Sequence, residues 1–584
     1  MNFSELVAFF KKLGETSSRN SMIDLLAELF NRTSINEIDK ICYFLLGELD
    51  AEYKHIKLGM GDKMVIEAIS YAGDLNKNFI EEKFKEMGDL GNVAEVTLED
   101  VGQKFQDFFQ TSEKLTVLDV YDGLLKIANA SGSGSVEIKE KILSAMLSVA
   151  SPKERKYLIR MVLGDMRLGL GTATILDGLS TAIFGSKDKR PELEHAFNVS
   201  SDIGYVAKVL LEDGLNGVKN IKISLKRPIK PMLAQRVSKM NDILEKIDSD
   251  EISVEQKYDG ERIQIHKNGD DIKLFSRRLT DITKQFPDII KNVKKFIKPE
   301  KIIIDGEAVA YDFENDEYEP FQKLMQRRRK YDVKEYADKI PVKYILFDLL
   351  YLEGKSYLKR SYPERRNELE KTIKKNEYLQ VASRKVCKNL DEIDDYFQHS
   401  INLGLEGVLC KSCSDDSYYR AGAREWLWIK WKTDYAAKLS DTLDLVVIGA
   451  YAGKGKRGGT YGALLCAAYN KDKDIYQTVT KLGTGFTDEQ LDNLINKLKD
   501  AKSENQPARV QVTKDMVPDF WFVPKYVLEV NGAEITESPT HTCNWNDKSE
   551  KGLALRFPRF ERWRGDKKAD DATSVGEILK MYNN

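Results

Sequence analysis

The chain has 584 residues, which is enough for roughly three or four domains at about 150 residues each. Hydrophobic residues make up 42% of it, with 14 Pro and 38 Gly, a composition that excludes a disordered or repeat protein and indicates a globular one with an ample core. Its 91 Lys and Arg nearly balance its 93 Asp and Glu, so any contact with nucleic acid would need a local basic surface.

The N-terminus, the apolar runs and the cysteines predict the location of the protein and the redox state of its thiols. Charged residues interleave with apolar ones at the N-terminus, which argues against a signal or transit peptide. No apolar run approaches the ~20 residues that a membrane helix needs, so we expect a cytoplasmic protein with no membrane partner. The six cysteines are scattered, and the close pair Cys410 and Cys413 lacks a second Cys-x-x-Cys, so we expect reduced thiols and no zinc.

Residues 1–225 are predicted to form an all-α domain. Apolar residues recur at three- and four-residue spacing, as in Ser21–Phe30, and Ser or Thr residues precede several such runs as helix caps. A later helix, opening at Ser151, carries Arg160 and leads to Arg167–Gly171. The glycines there would let the backbone approach a phosphate, but they suit a tight interhelical turn equally well.

The second domain, 226–440, is predicted to be α+β. Two prolines in Leu225–Pro231 break the helical pattern and indicate a linker. Alternating isoleucines on either side of Asn268-Gly269 predict a hairpin with a type I′ turn. Just before that hairpin, Val254–Arg262 places Lys257 at the end of a strand-like run. A lysine becomes a useful nucleophile only where burial or nearby cations favour its neutral form.

Several other predicted strand ends in this domain carry charged residues. Lys430 and Lys432 are two residues apart, so on a strand they share one face. Taken singly, each segment is typical of an ordinary strand end with a solvated charge. The segments are Ser276–Arg278, Ile302–Glu307, Tyr344–Leu350, Glu406–Lys411 and Arg424–Lys432.

The pattern Lys257-x-Asp259-Gly260-x-Arg262 resembles the nucleotidyl-lysine motif of DNA ligases, RNA ligases and mRNA capping enzymes. The charged segments that follow match the sequential motifs of this nucleotidyltransferase superfamily in order. The resemblance implies that Lys257 attacks the α-phosphate of a nucleotide and carries the monophosphate. It also implies that Glu255 and Phe347 hold adenine, that Arg262 and Glu307 hold the ribose, and that Arg277, Arg424, Lys430 and Lys432 contact ribose or phosphate oxygens. Glu307 and Glu406 offer the hard oxygen ligands that suit Mg²⁺.

The third domain, 441–584, is predicted to be an all-β OB-type barrel. Predicted strands include Leu443–Tyr451, Ala463–Tyr469, Thr478–Leu482 and Tyr526–Val530. The glycine-rich segment Gly453–Gly462 lacks the Gly-Lys-Ser/Thr ending of a phosphate-binding loop, so we interpret it as a basic hairpin loop.

Near the C-terminus, Arg556–Lys567 resembles the last ligase motif, whose basic residues orient the pyrophosphate leaving group. The segment departs from the commonest version by carrying Glu561, Trp563 and Gly565. The residues implied in pyrophosphate orientation are Arg559, Arg562, Arg564 and Lys567.

Over nearly its whole length the chain is most similar to archaeal ATP-dependent DNA ligases. Arg167–Leu170 looks like a segment of their helical DNA-binding domain, which implies backbone contacts from Arg160 and Arg167. The resemblance implies ATP, Mg²⁺ and nicked duplex DNA, with roles in replication, recombination and repair. Capping enzymes lack the helical domain, RNA ligases differ in the C-terminal region, and NAD-dependent ligases carry a four-cysteine zinc site. A non-catalytic DNA-binding scaffold would be expected to have lost Lys257 or the phosphate cations.

One segment suggests a protein partner. Gly102–Phe109 resembles the peptide by which replication proteins bind the sliding clamp, with Phe105, Phe108 and Phe109 as anchors. The same aromatic spacing is typical of a helix that faces a core, and that alternative stays open. We expect the protein to act as a monomer.

Overall fold

The computed structural model describes residues 1–98, 114–237, 239–327, 333–374, 376–432, 442–453, 459–532 and 534–583. The chain divides into two compact units. The first comprises Met1–Gly59, Phe109–Val149 and Arg160–Tyr435, and the second comprises Met60–Phe108, Ala150–Ile159 and Ala436–Asn584. None of the described helices is long and apolar enough to cross a membrane. All six cysteines are free thiols, as expected.

The N-terminal part of the chain is helical, as predicted. Within the first unit, the second helix packs against the tenth, and the third packs against the twelfth, which is kinked at Gly214. The predicted helix at Ser21–Phe30 lies inside the second helix, and the one opening at Ser151 begins at Pro152. The helices are α1 (Phe3–Glu15), α2 (Arg19–Asn31), α3 (Ile38–Leu45), α4 (Asp62–Gly73), α5 (Lys77–Met87), α6 (Leu90–Thr97), α7 (Val117–Asn129), α8 (Ser135–Val149), α9 (Pro152–Val162), α10 (Thr172–Phe184), α11 (Arg190–Ser200) and α12 (Ile203–Lys219).

The α+β part of the first unit follows the linker. Its strands are β1 (Leu233–Arg236), β2 (Ile252–Lys257), β3 (Glu261–Asn268), β4 (Asp271–Ser276), β5 (Lys301–Asp312), β6 (Glu317–Tyr318), β7 (Val342–Leu352), β8 (Lys355–Ser356), β9 (Leu379–Val381), β10 (Arg384–Cys387), β11 (Gly407–Ser412) and β12 (Arg424–Lys432). Its helices are α13 (Asp242–Lys246), α14 (Pro287–Phe296), α15 (Phe321–Met325), α16 (Val333–Lys339), α17 (Tyr362–Thr372) and α18 (Leu390–Asn402).

These strands form two sheets. One has the order β1-β12-β11-β2-β10, and the other has the order β4-β3-β5-β7-β8, with β6 paired to β5 and β9 to β7. Each sheet packs its apolar face on a helix: Val254 and Val408 contact a core shared with Phe397 of α18, and Ile304 shares a core with Val293 of α14. Burial of these faces is the main stabilising term, at roughly 25 cal/mol per Å² of apolar surface.

The predicted hairpin is confirmed as β3 and β4, but its turn type differs from the expected type I′. Asn268 pairs with Asp271, so the two central residues are Gly269 and Asp270. Among the described positive-φ residues only Gly269, at +61°, belongs to this turn. A positive φ at the first central residue alone fits a type II′ turn. The strand register therefore lies one residue away from the one that the Asn-Gly pair suggested.

The β-rich C-terminal part belongs to the second unit and confirms the predicted strands. Its main sheet has the order β16-β18-β13-β14-β15-β17, with β19 pairing β13 and β23, and β20-β22-β21 forms a small second sheet. Two helices accompany the sheets, which the all-β prediction did not include. The elements are β13 (Leu443–Ala452), β14 (Tyr461–Asn470), β15 (Ile475–Leu482), α19 (Asp488–Leu498), β16 (Lys502–Ser503), β17 (Val510–Gln511), β18 (Phe520–Phe522), β19 (Val527–Asn531), β20 (Glu534–Ser538), β21 (Cys543–Asn546), β22 (Lys551–Arg556), β23 (Arg559–Trp563) and α20 (Val575–Asn583).

Candidate active site

Lys257 ends β2 and lies beside two neighbouring strands of the same sheet. The register pairs Lys257 with Gly407 of β11, and Gly407 with Lys432 of β12. Glu406, just before β11, donates its backbone N–H to the Lys257 carbonyl at 3.1 Å. The ammonium groups of Lys257 and Lys432 both contact the Glu406 carboxylate. Three residues that are widely separated in the chain are therefore brought together by strand pairing alone.

Gly407 makes this pairing possible. Its φ is +147°, and a Cβ built on it would overlap the carbonyl of Trp431 in β12. Only glycine adopts such a backbone without strain. The close approach of β11 and β12 therefore depends on the missing side chain, and so does the position of Glu406 between the two lysines.

A cavity of about 930 Å³ lies in front of Lys257, near the upper end of the ~300–1,000 Å³ typical of ligand pockets. Of the residues predicted to hold nucleotide or metal, all but Arg424 line it. The lining residues from that prediction are Glu255, Lys257, Arg262, Arg277, Glu307, Phe347, Glu406, Lys430 and Lys432. Arg424 begins β12, and its charge lowers the pKa values of Arg277 and Lys430 after the larger effect of burial.

The surroundings of Lys257 make its neutral form easier to reach than that of an ordinary lysine. Burial lowers the pKa of Lys257, Glu307 and Asp259 oppose that shift, and Arg277 adds to it. The side chain is still 25% exposed, so it remains accessible to a substrate in the cavity. Burial also raises the pKa of Glu307 to about 7, against the opposing charge of Lys257. Burial thus shifts the pKa of an amine down and that of a carboxyl group up within the same site, each towards its neutral form.

Glu255 and Phe347, predicted to hold adenine, are joined by partners that the sequence did not indicate. The buried Glu255 carboxylate accepts hydrogen bonds from Tyr362 Oη at 2.5 Å, Arg366 Nη1 at 2.9 Å and Lys411 Nζ at 2.7 Å. Lys411 also donates to the Phe347 carbonyl at 3.1 Å. With three donors already bound, Glu255 has little acceptor capacity left for a base.

Arg262, predicted to hold the ribose, is also held by its own surroundings. Its guanidinium donates to Asp305 Oδ2 at 2.6 Å, to Tyr419 Oη at 3.0 Å and to the Met232 carbonyl at 2.7 Å. It lies 5.2 Å from the centre of the Phe347 ring. Asp305 stands two residues before Glu307 in β5, so its side chain lies on the same face of the strand. The two-residue spacing between Asp305 and Glu307 could therefore have indicated that Asp305 belongs to the site, but the sequence prediction did not include it.

The chain matches three models of DNA ligase regions. The ATP-dependent DNA ligase domain matches residues 231–432, the DNA ligase N terminus matches residues 2–180, and the ATP-dependent DNA ligase C-terminal region matches residues 457–567. A DNA ligase of Acidianus ambivalens is 44% identical over all of this chain and 97% of its own length. A DNA ligase of Staphylothermus marinus is 45% identical over all of this chain and 98% of its own length.

The chain belongs to the ATP-dependent DNA ligases, and within them to the archaeal type. Its activity is therefore ATP-dependent joining of DNA, with a nucleic acid as substrate. The fold agrees with a solved structure named Pmar-Lig_Pre, with a TM-score of 0.57 at 18% identity over 96% of this chain and 99% of the other. At that identity the likeness concerns the fold alone.

Two carboxylates of this ligase are of the chemical type that binds a divalent cation. Glu307 and Glu406 both line the cavity with Lys257. In the described part of the chain there is no group of three or more His, Cys, Asp or Glu residues placed to hold a metal ion. Two carboxylates suit Mg²⁺, which keeps several waters and bridges to substrate phosphates instead of occupying an all-protein cage.

In the C-terminal unit of the ligase, the four predicted pyrophosphate cations fall into two kinds. Arg564 donates to both oxygens of Asp444 at 2.9 Å, and Lys567 donates to Asp444 Oδ2 at 2.7 Å. Arg562 contacts Glu529 but stays 67% exposed, and Arg559 is exposed. Arg564 and Lys567 thus hold β13 to the C-terminal segment. Arg559 and Arg562, the outer pair, are exposed to solvent.

The predicted DNA contacts of the ligase lie near the loop between α9 and α10. Arg167, with φ of +55°, donates from Nε to Asp165 at 2.8 Å, and Arg160 lies near the end of α9. A Cβ on Gly171, the residue before α10, would meet no atom within 4 Å. The segment between α9 and α10 is too long to be a tight interhelical turn. It leaves open space beside the start of α10. The clamp-like segment Gly102–Phe109 lies outside the described residues.

Proposed function

We propose that Lys257 is the nucleophile of the ligase and carries AMP as a covalent phosphoramidate. Its neutral amine attacks the α-phosphorus of ATP, an N–P bond forms, the bond to pyrophosphate breaks, and the proton leaves Nζ. AMP then passes to the 5′-phosphate at a nick, and the 3′-hydroxyl displaces AMP to form the phosphodiester bond. The observation that carries this proposal is a lysine of lowered pKa that ends a strand inside a nucleotide-sized cavity.

We assign the adenosine to the side of the cavity lined by Phe347 and Trp428, whose rings are 6.3 Å apart and nearly perpendicular. Glu255 would shape the edge of that pocket, with the remaining lone pair of Oε2 or its backbone facing the base. Arg262 and Glu307 would meet the ribose. Since Arg262 is already bound to Asp305, we expect it to fix the shape of the ribose site as much as to bind it.

Phosphate binding is assigned to the cationic side of the cavity. Arg277, Lys430 and Lys432 line it, and Arg424 lies close enough to shift the pKa values of two neighbours. Fixed cations stabilise the charge that builds on the phosphate oxygens more in the transition state than in the ground state. Glu307 and Glu406 would hold Mg²⁺, which supplies charge neutralisation at the phosphates when bound.

Contacts beyond the nucleotide complete the proposal. We infer that Arg160 and Arg167 bind the DNA backbone, which positions the protein without reading bases. Arg559 and Arg562 remain our choice for orienting pyrophosphate, with Arg564 and Lys567 supporting them through Asp444. Sealing during replication, recombination and repair is the role of this ligase family. We also propose domain limits at 225 and 440, a monomeric state, a cytoplasmic location, and clamp binding through Phe105, Phe108 and Phe109.

The deciding experiment compares Lys257→Ala with Lys385→Ala, which changes an exposed lysine on the neighbouring strand β10. Each variant is incubated with α-labelled ATP and then with nicked DNA. We expect no labelled protein from Lys257→Ala, full labelling of Lys385→Ala, and unimpaired binding of nicked DNA by both. Recovery of labelled enzyme-AMP from Lys257→Ala would exclude Lys257 as the nucleophile.

A further inference from the structure

A short segment of the N-terminal helical region reaches the nucleotide cavity. Glu52, His55 and Lys57 line the same cavity as Lys257, and so do Arg277 and Arg278. None of these three was expected there from the sequence, which assigned the pyrophosphate only to the C-terminal cations. Both parts of the chain belong to the first compact unit.

Apolar packing and polar contacts hold the segment in place at both of its ends. At one end Ala51 and Tyr53 form a small cluster with Phe275 and Leu279, where the rings of Tyr53 and Phe275 meet edge to face at 6.3 Å. At the other end the buried Lys139 donates to the Leu58 carbonyl at 2.6 Å. Residues 52–57 are thus presented to the cavity by a fixed backbone, which lowers the entropic cost of using them in binding.

Two side-chain contacts orient the segment further. His55 Nε2 lies 2.5 Å from the Thr280 hydroxyl, three residues after Arg277. Glu52 is paired with Lys230 at 3.1 Å, so its negative charge is balanced outside the group of cavity cations. The exposed Lys57 therefore adds positive charge to a cavity that Arg277 and Arg278 also line, and the contact between His55 and Thr280 brings its segment to the part of the chain that carries them.

We propose that Lys57, with His55 beside it, binds the β- and γ-phosphates of ATP and the departing pyrophosphate during self-adenylylation. This rests on the proposed function of Lys257. If adenosine fills the side with Phe347 and the α-phosphate meets Lys257, the two outer phosphates extend towards the remaining cationic lining. A dense polyanion matches that lining, and the volume of about 930 Å³ accommodates a whole triphosphate.

The reverse reaction isolates this contact. Pyrophosphate attacks the lysyl-AMP phosphorus, the N–P bond breaks, a proton returns to Nζ, and ATP forms. A residue that binds the outer phosphates affects this step and the forward step together. Sealing of DNA that already carries AMP on its 5′-phosphate involves no pyrophosphate, so a residue with only this role leaves that step unchanged.

The test uses full-length Lys57→Ala, with Lys54→Ala as the matched control, because Lys54 lies in the same segment but pairs with Asp50 and does not line the cavity. Self-adenylylation is measured against ATP concentration, and ATP formation from enzyme-AMP against pyrophosphate concentration. For Lys57→Ala we expect kcat/KM to fall roughly tenfold in both directions, as for loss of one charge-assisted hydrogen bond. Lys54→Ala should stay near the parent, and Lys57→Arg should retain most of the activity.

Two further measurements identify the bound group. Thr280→Val removes the partner of His55 with little change in volume and should cause a smaller loss in the same two reactions. Affinity for nicked DNA is measured at one salt concentration. Unchanged pyrophosphate-dependent ATP formation by Lys57→Ala would overturn the proposal, and a fall in DNA affinity instead would assign Lys57 to a DNA phosphate. Failure of the Lys257 assignment would appear separately, as label on Lys257→Ala.

Discussion

Lys411 and Glu255 form a fully buried salt bridge of 2.7 Å between the paired strands β11 and β2 of one sheet. The same ammonium donates to the Phe347 carbonyl. Burial lowers the pKa of Lys411, and the charge of Glu255 opposes that shift. A charge in such a place is tolerated only when its partners stay in position, so the pair fixes the distance between the two residues proposed to hold adenine.

Replacing Lys411 with Met tests that relationship. The substitution keeps the apolar stem but leaves Glu255 with Arg366 and Tyr362 alone, so we expect a loss of about 3 kcal/mol in the free energy of unfolding. The KM for ATP in self-adenylylation should rise as well. Urea denaturation and labelling with ATP measure the two effects, and Lys385→Met is the exposed control. Unchanged stability would mean that Glu255 does not need Lys411.

Gly407→Ala should disable the site by a different route. A methyl group there meets the Trp431 carbonyl and requires a strained backbone at φ of +147°, so β11 and β12 must separate. Such overlaps typically cost 1–3 kcal/mol or more. We expect a lower melting temperature and nearly complete loss of lysyl-AMP formation, because Glu406 and Lys432 would move apart as the two strands separate. Gly404→Ala, with φ of +75° but open space around it, separates backbone strain from overlap. Normal labelling of Gly407→Ala would contradict this account.

The site residues that lie on strands were predictable because the sequence patterns that indicate them are local. Lys257, Glu307 and Lys432 each end or occupy a strand whose apolar pattern and motif lie within a few residues. The partners of these residues were not predictable in this way. Arg366 meets Glu255 from 111 residues away on α17, a contact that no spacing rule contains. The turn type at Gly269 was mispredicted for a similar reason. It depends on how the two strands pair, which the Asn-Gly pair alone does not determine.

The helices of the C-terminal unit show what a fold-class prediction omits. Helix α19 begins with a capping box in which Thr487 and Gln490 bind each other's backbone, a signal that was present in the sequence. The prediction of an all-β OB-type domain contained strands and no helix. The tie between Arg564 and Asp444 spans 120 residues, and only the structure reveals it.

Self-adenylylation should depend on pH through Lys257. Because burial lowers the pKa of Lys257, the neutral nucleophile becomes populated at lower pH than for an ordinary lysine. We expect the single-turnover rate with ATP to rise with pH and to level off below the ordinary lysine pKa of 10.5. Sealing of pre-adenylylated DNA, which needs no free amine, should lack this inflection. The same inflection in both reactions would assign it to another group.

Glu307→Gln should stabilise the ligand-free ligase above neutral pH. The pKa of Glu307 is raised from 4.5 to about 7 in the folded protein, so the unfolded chain releases this proton first. Stability then falls as pH rises between those two values, by up to about 3 kcal/mol in total. Gln removes this loss, so the variant should unfold at higher urea concentration at pH 8 but not at pH 4, while self-adenylylation drops. Equal gains at both pH values would show that titration of Glu307 is not the cause.

Arg559→Ala and Arg564→Ala should separate function from structure in the C-terminal unit. Arg559 is exposed at the start of β23, so its loss should reduce self-adenylylation without changing the melting temperature. Arg564 binds both oxygens of Asp444, which is only 12% exposed, so its loss should lower the melting temperature of that unit. Arg564→Lys, which lacks the planar fork that binds Asp444 through Nη1 and Asp566 through Nε and Nη2, should recover only part of the stability. Thermal unfolding and labelling with ATP on the same preparations give both readouts. If Arg564→Ala kept its melting temperature and lost labelling as Arg559→Ala does, Arg564 would join the outer pair as a pyrophosphate contact and the Asp444 tie would be incidental.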